Sequence, residues 1–137
     1  GPSGICVDES GNLYVADRNN NVIRLVEVNE SNPEVFTYAG SVEGNADGTF
    51  DDAAFNAPSG LAIDQQGLLY VADSSNNTIR TIDQNREVIT VAGSGERANT
   101  NGVGVAAEFV KPSNLMIDVS GNLYTGSVNS IKKIIVQ

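Results

Sequence analysis

The chain repeats itself. The series Pro2-Ser-Gly-Ile-Cys-Val-Asp8, Gly11-Asn-Leu-Tyr-Val-Ala-Asp17, Asn20-Asn21 and Ile23-Arg24 returns as Pro58-Ser-Gly-Leu-Ala-Ile-Asp64, Gly67-Leu-Leu-Tyr-Val-Ala-Asp73, Asn76-Asn77 and Ile79-Arg80. It returns again, altered, as Pro112-Ser-Asn-Leu-Met-Ile-Asp118, Gly121-Asn-Leu-Tyr124 and Ile131-Lys132. The first step, Pro2 to Pro58, is 56 residues and the second, Pro58 to Pro112, is 54. A period of this length marks an array of supersecondary units, none of which buries its apolar face alone.

Each unit reads as strands. It opens on a short alternating run, Ile5-Cys-Val7, Leu61-Ala-Ile63 or Leu115-Met-Ile117. An acidic residue and a turn closing on Gly11, Gly67 or Gly121 follow, and glycine suits the left-handed position of a short hairpin loop. The second strand is Leu13–Ala16, Leu69–Ala72 or Leu123–Thr125, and the third is Val22–Val28, Thr78–Ile82 or Ile131–Val136. A fourth runs through Val35–Tyr38 and Val88–Val91. Period-two patterning, β-branched residues and turn punctuation agree. The pattern predicts an all-β chain of tandem four-stranded antiparallel units, the blades of a β-propeller, at 1–57, 58–111 and, incomplete, 112–137.

A long Gly-rich segment links fourth strand to next unit. Its two copies match at Ala39/Ala92, Gly40/Gly93, Gly48/Gly102, Ala53/Ala107 and Phe55/Phe109. Such regularity predicts an anchored loop whose Phe plugs between blades, with Asp51-Asp52 capping one helical turn.

Composition removes whole function classes. Net charge is −9, from 17 acidic and 8 basic residues, and no basic stripe extends beyond Lys132-Lys133. Phosphate-backbone binding needs clustered Lys and Arg, so nucleic acid is not an expected partner. No apolar run approaches the roughly 20 residues of a membrane span. Histidine is absent, which removes the commonest general base and transition-metal ligand. The single cysteine, Cys6, fills a strand slot held by Ala62 and Met116 in the sister units and reads as a buried hydrophobe.

These motifs, Pro-x-Gly with its following Asp, Gly-Asn-Leu-Tyr-Val-Ala-Asp and Asn-Asn-x-Ile-Arg, resemble NHL repeats. The intervening Ala-Gly-Ser, Asp-Gly and Ala-x-Phe-x-x-Pro elements are similar to the long-repeat form of that family. The resemblance implies a propeller, usually six-bladed, of which about half is present. It implies no single activity, since such folds serve as binding modules, structural modules and relatives of lyases and lactonases.

Asp17 and Asp73, with Asn20-Asn21 and Asn76-Asn77, recur with the repeat, so their expected role is an Asx-turn accepting loop N–H groups. The same holds for Asp8, Asp64 and Asp118. Arg24 and Arg80 read either as partners of neighbouring-blade carboxylates or as solvated strand charges. In the third unit Tyr124-Thr-Gly-Ser127 and Lys132 replace the motif, so whatever the Asp and paired Asn do is expected to be lost there. Asp47, Asp51 and Asp52 form an acidic loop that could take calcium, although its spacing lacks the EF-hand pattern. Otherwise no cofactor is expected. Asn29 and Asn76 head N-glycosylation sequons, which favours an extracellular setting.

In an antiparallel blade the second-to-third-strand loop shares a face with the segment leading into the first strand. Asp17, Asn20, Asn21, Asp73, Asn76, Asn77, Asp47, Asp51 and Asp52 should therefore gather on one face, the expected binding surface. The reading is a non-catalytic interaction or structural module for a protein or carbohydrate ligand. The alternative is a lactonase or lyase with a carboxylate-bound metal at the propeller channel. Two full units and part of a third leave two apolar faces bare. The expectation is therefore a fragment of a longer polypeptide with about three further blades, or else closure by further copies.

Overall fold

The computed structural model describes residues 1–28 and 31–135. Each sequence unit is one antiparallel sheet. In the first blade β1 (Pro2–Val7), β2 (Leu13–Asp17), β3 (Val22–Glu27) and β4 (Glu34–Ala39) lie in chain order. The second repeats this with β5 (Pro58–Ile63), β6 (Leu69–Asp73), β7 (Thr78–Ile82) and β8 (Val88–Ala92). The third has β9 (Leu115–Ile117), β10 (Leu123–Ser127) and β11 (Ser130–Ile134). Val136, placed in the last strand by the sequence pattern, lies outside the described residues.

Period two decides which side chain faces which neighbour. Cys6, Tyr14 and Leu25 are register partners and point from blade 1 toward blade 2. Blade 2 answers with Leu61, Leu69, Val71 and Ile82, and together they form one core cluster. On its other side Ala62, Tyr70 and Ile79 meet Leu115, Ile117 and Leu123 of blade 3. The core is thus a set of inter-blade layers. Phe55 and Phe109 are fully buried in these two layers, so each linker does drive its ring between blades. Tyr14 and Tyr70 are buried as expected, with Tyr14 edge-on to Tyr38 at 5.0 Å between ring centres. Tyr124 is only half-buried, because its face has no described blade beyond it.

Close packing at the inner strands depends on glycine. A Cβ on Gly4 would strike the Ser59 carbonyl, and one on Gly60 would strike that of Ser113. Ser3 Oγ donates to the carbonyls of Pro58 and Ser59, and Ser59 Oγ to those of Pro112 and Ser113, stitching successive inner strands together. Asn114 takes the glycine slot in the third blade.

The hairpin turns behave as the sequence predicts. Gly11, Gly67 and Gly121 have φ of 89°, 81° and 83°. Asp118 accepts the backbone N–H groups of Ser120 and Asn122, the Asn122 amide and the Tyr124 hydroxyl. These donors, the Asn122 side chain first, hold its carboxyl down at about 2. Asp8 and Asp64 receive equivalent backbone bonds.

Two expected outcomes follow from this packing. Tyr70→Ala should cost about 3–5 kcal/mol in denaturant unfolding, the usual loss for a large buried aromatic. NMR titration should find the Asp118 carboxyl near 2, and Asn122→Ala should move it toward the ordinary ~3.9. Because this pKa is depressed on folding, its contribution to stability is present above the ordinary value and lost as pH falls toward 2.

Candidate functional site

The linker preceding blade 2 and the loop between its second and third strands share one face, and Arg80 sits beneath them. This guanidinium is wholly buried, and every one of its N–H groups has an acceptor. Nε and Nη2 donate to Asp47 Oδ1 at 3.1 and 2.7 Å, and Nη2 also to the Ala46 carbonyl at 2.7 Å. Nη1 donates to the Ala54 carbonyl at 3.0 Å and to Asp73 Oδ2 at 2.8 Å. The cation also lies 5.1 Å from the Phe55 ring centre. A planar donor fork suits this task, since it binds two carboxylates and two carbonyls at once. Of the two readings of this arginine, partner of a neighbouring-blade carboxylate is the one realised: Asp47 arrives on the linker from blade 1.

Asp47 also accepts the Thr90 backbone N–H and hydroxyl, each at 3.0 Å. The next residue, Gly48, pairs with the edge of β8 through reciprocal bonds with Val88. Asp47 therefore clamps blades. Asp51 and Asp52 instead accept from the Thr49 hydroxyl at the surface, where a single turn closes on the Thr49 carbonyl and does not continue as a helix. Among the described residues no group of three His, Cys, Asp or Glu side chains converges as a metal site.

Asp73 departs from the expected Asx-turn. It is fully buried, and it accepts the Asn56 N–H of the linker at 2.8 Å, the Asn76 amide at 2.7 Å and Arg80. Burial pushes its carboxyl up, and these donors offset part of the rise. In blade 1 Asp17 accepts from Asn20 and Arg24 in a more open setting, and the Asn20 amide, followed by Arg24, holds its carboxyl below the usual range. Asn21 and Asn77 are both left-handed, at φ of 57° and 56°. Their side-chain Oδ1 atoms accept the N–H of Ala57 and Lys111, linking each loop to the next linker.

The third unit preserves half of this design, which corrects the expectation of a lost role. Ser127 Oγ accepts the Val110 N–H at 2.8 Å, the bond that Asp73 takes from Asn56. Lys132 Nζ reaches Asn101 Oδ1 at 2.8 Å and the Asn99 carbonyl at 3.2 Å, and Asn101 stands where the first linker has Asp47. An Arg–Asp–Asp set has become Lys–Ser–Asn.

On the same face, beside the network, a cleft of about 360 Å³ is lined by Asn45, Asn76, Thr78, Thr90, Ser94, Val105 and the Gly93 and Gly95 backbones. No charged side chain lines it. Thr78 lines this cleft, and its Oγ1 is buried and, among the described residues, without a hydrogen-bond partner. Valine fills its slot in blade 1, as Val22. Sequence reasoning missed Thr78, and the departure from Val22 was the available signal. A second cavity, of about 380 Å³, lies between blades 2 and 3, bounded mainly by apolar side chains such as Tyr70, Ile89, Val91 and Ile134, with Asp83 and Glu87 also on its wall. Asn76 gives its amide hydrogens to Asp73 and the Gly44 carbonyl, so a glycan there would displace one of them. Asn29 lies outside the described residues. Cys6 is half-buried, and burial, then Asp8, pushes its thiol up to about 12.

Repeated antiparallel blades packed face to face define a β-propeller. The chain belongs to the NHL-repeat family, matching the NHL repeat at residues 1–24 and 55–82. It is 35% identical over 128 residues to NHL repeat-containing protein 2 of Gallus gallus, covering 92% of this chain and 17% of that protein. It is 34% identical over 95 residues to teneurin-1 of Homo sapiens, covering 60% of this chain and 4% of the relative. An auxiliary nutrient binding protein from Bacteroides ovatus superposes with a TM-score of 0.85 at 20% identity, over 96% of this chain and 36% of the other. Virginiamycin B lyase from Staphylococcus aureus superposes with a TM-score of 0.62 at 15% identity, over 100% and 42%. Both structural likenesses concern the fold. Among the described residues no helix is long and apolar enough to cross a membrane.

The Arg80 network yields a stability expectation. Arg80→Met would strand Asp73 as an unpaired buried carboxylate and should cost about 3–5 kcal/mol in urea unfolding at neutral pH. Asp47→Asn, at a half-exposed position, should cost clearly less.

Proposed function

We propose that this chain is a non-catalytic NHL propeller module that binds a neutral, hydroxyl-rich ligand, a carbohydrate first, on its linker face. The observation that carries the reading is Thr78. A buried hydroxyl without a partner costs about 1–3 kcal/mol, and the sister unit avoids the cost with Val22. A slot that keeps such a group beside a cleft of amides, hydroxyls, glycine backbone and one apolar side chain, Val105, is organised for a ligand that supplies the missing bond. The nearby carboxylates Asp47 and Asp73 are engaged with Arg80, which favours binding over chemistry. The likeness to teneurin-1 and to a nutrient binding protein supports an extracellular or secreted setting.

The test is an NMR titration of the chain with a panel of neutral mono- and disaccharides. Saturable shifts should gather at Asn45, Asn76, Thr78 and Ser94. Thr78→Val should abolish them while leaving stability unchanged or up to about 1 kcal/mol higher, because an orphan hydroxyl is removed. Shifts that persist in the Thr78→Val protein, or no saturable shift with any sugar, would reject this reading.

A further inference from the structure

We infer that the Arg24–Thr37 end of blade 1 is a seat for an aspartate carried on an Asp-Gly linker of a further repeat. The molecule contains its own template for this seat. In blade 2 the Asp47-Gly48 step of the incoming linker docks at three points: its carboxylate on Arg80, the same carboxylate on Thr90 N–H and hydroxyl, and its glycine on Val88. Blade 1 repeats each receptor in register. Arg24 pairs across the sheet with Thr37 as Arg80 does with Thr90, and Val26 with Val35 as Ile82 does with Val88.

What differs is cover. The Arg80 side chain is fully buried whereas that of Arg24 is 33% exposed. Val88 is 0% exposed and Val35 is 65%, at the open edge of β4. Among the described residues, the side-chain partners of Arg24 are Asp17 and Thr37 of its own blade. A short edge of valine beside a half-covered arginine matches what an Asp-Gly step brings: a negative charge and a backbone able to pair with a strand.

The third blade shows that receptor and linker change together. Where the blade carries Arg80 and Asp73 the linker carries Asp47, and where it carries Lys132 and Ser127 the linker carries Asn101. Blade 1 carries Arg24 and Asp17, the combination that takes aspartate. A second copy of this chain has none to offer. Its one Asp-Gly step, Asp47-Gly48, is held on Arg80, and its other linker presents Asn101-Gly102 to Lys132.

The seat can be filled by design. A copy of residues 40–57 is fused ahead of Pro2 in place of Gly1, since Pro2 and Pro58 hold equivalent positions, and a second version carries D47N in the added copy. The aspartate version should melt about 4 °C or more above the asparagine version. That gap should close when Arg24→Gln is introduced into both, or when Thr37→Val is used should the Arg24 variants fail to fold. Equal melting of the two fusions, or a gap indifferent to both receptor substitutions, overturns the proposal. So does sedimentation showing that the unextended chain forms a dimer that Arg24→Gln dissolves, because a second copy would then be the occupant.

Discussion

A buried guanidinium with every hydrogen assigned is the constraint around which blade 2 is arranged. Removing Arg80 from water is expensive, and it is repaid only if all its donors are met at good geometry. Meeting them recruits the Ala46 and Ala54 carbonyls and the Asp47 carboxylate from one linker, and Asp73 from its own blade. The linker is thereby held at both ends of a long loop, and Phe55 is pressed into the inter-blade layer beneath the cation. A loop tied this way is a rigid wall, so the cleft beside it has a defined shape.

Much of the architecture is legible in the residues themselves. Ile5-Cys-Val7 alternates in exposure as a half-buried pleat does, whereas Leu69–Ala72, a short apolar run between turn signals, is a strand buried on both faces. Gly67 and Gly121 mark hairpins because they adopt positive φ. Phe55 and Phe109 are legible because they recur at one position of a polar linker, whereas Phe50, which has no counterpart in the second copy, stays partly exposed. The polar site is less so. Asp73 looks like a local loop acceptor, yet its backbone partner Asn56 comes from 17 residues away. Asp47 looks like part of an acidic surface loop, yet it serves Arg80 at 33 residues' distance and Thr90 at 43. Local spacing carries no record of such bonds; they exist only once two blades are stacked. Ser127 illustrates the converse, since a substitution that reads as decay preserves the one bond its position must make.

The two core layers and the loop face divide the labour. Between blades, apolar side chains and five aromatics (Tyr14, Tyr38, Phe55, Tyr70 and Phe109) provide non-directional cohesion. On the face, directional bonds from Asn21, Asn77 and the Arg80 set fix how each loop meets the next linker. Variation such as Val22 to Thr78 can then accumulate on that face without disturbing the layers, which is how one scaffold comes to display different surfaces.

The glycine slots of the inner strands bear on the geometry of the ring. Blade 2 nestles on Gly4 and blade 3 on Gly60, each approach being too close to admit a Cβ. Asn114 brings a Cβ and an amide to the same slot. A blade seated against that slot could not come as close as blades 2 and 3 come to Gly4 and Gly60, so the three inner-strand slots are not interchangeable. That gives each blade a fixed address, in the way a keyed washer fits its shaft in one orientation.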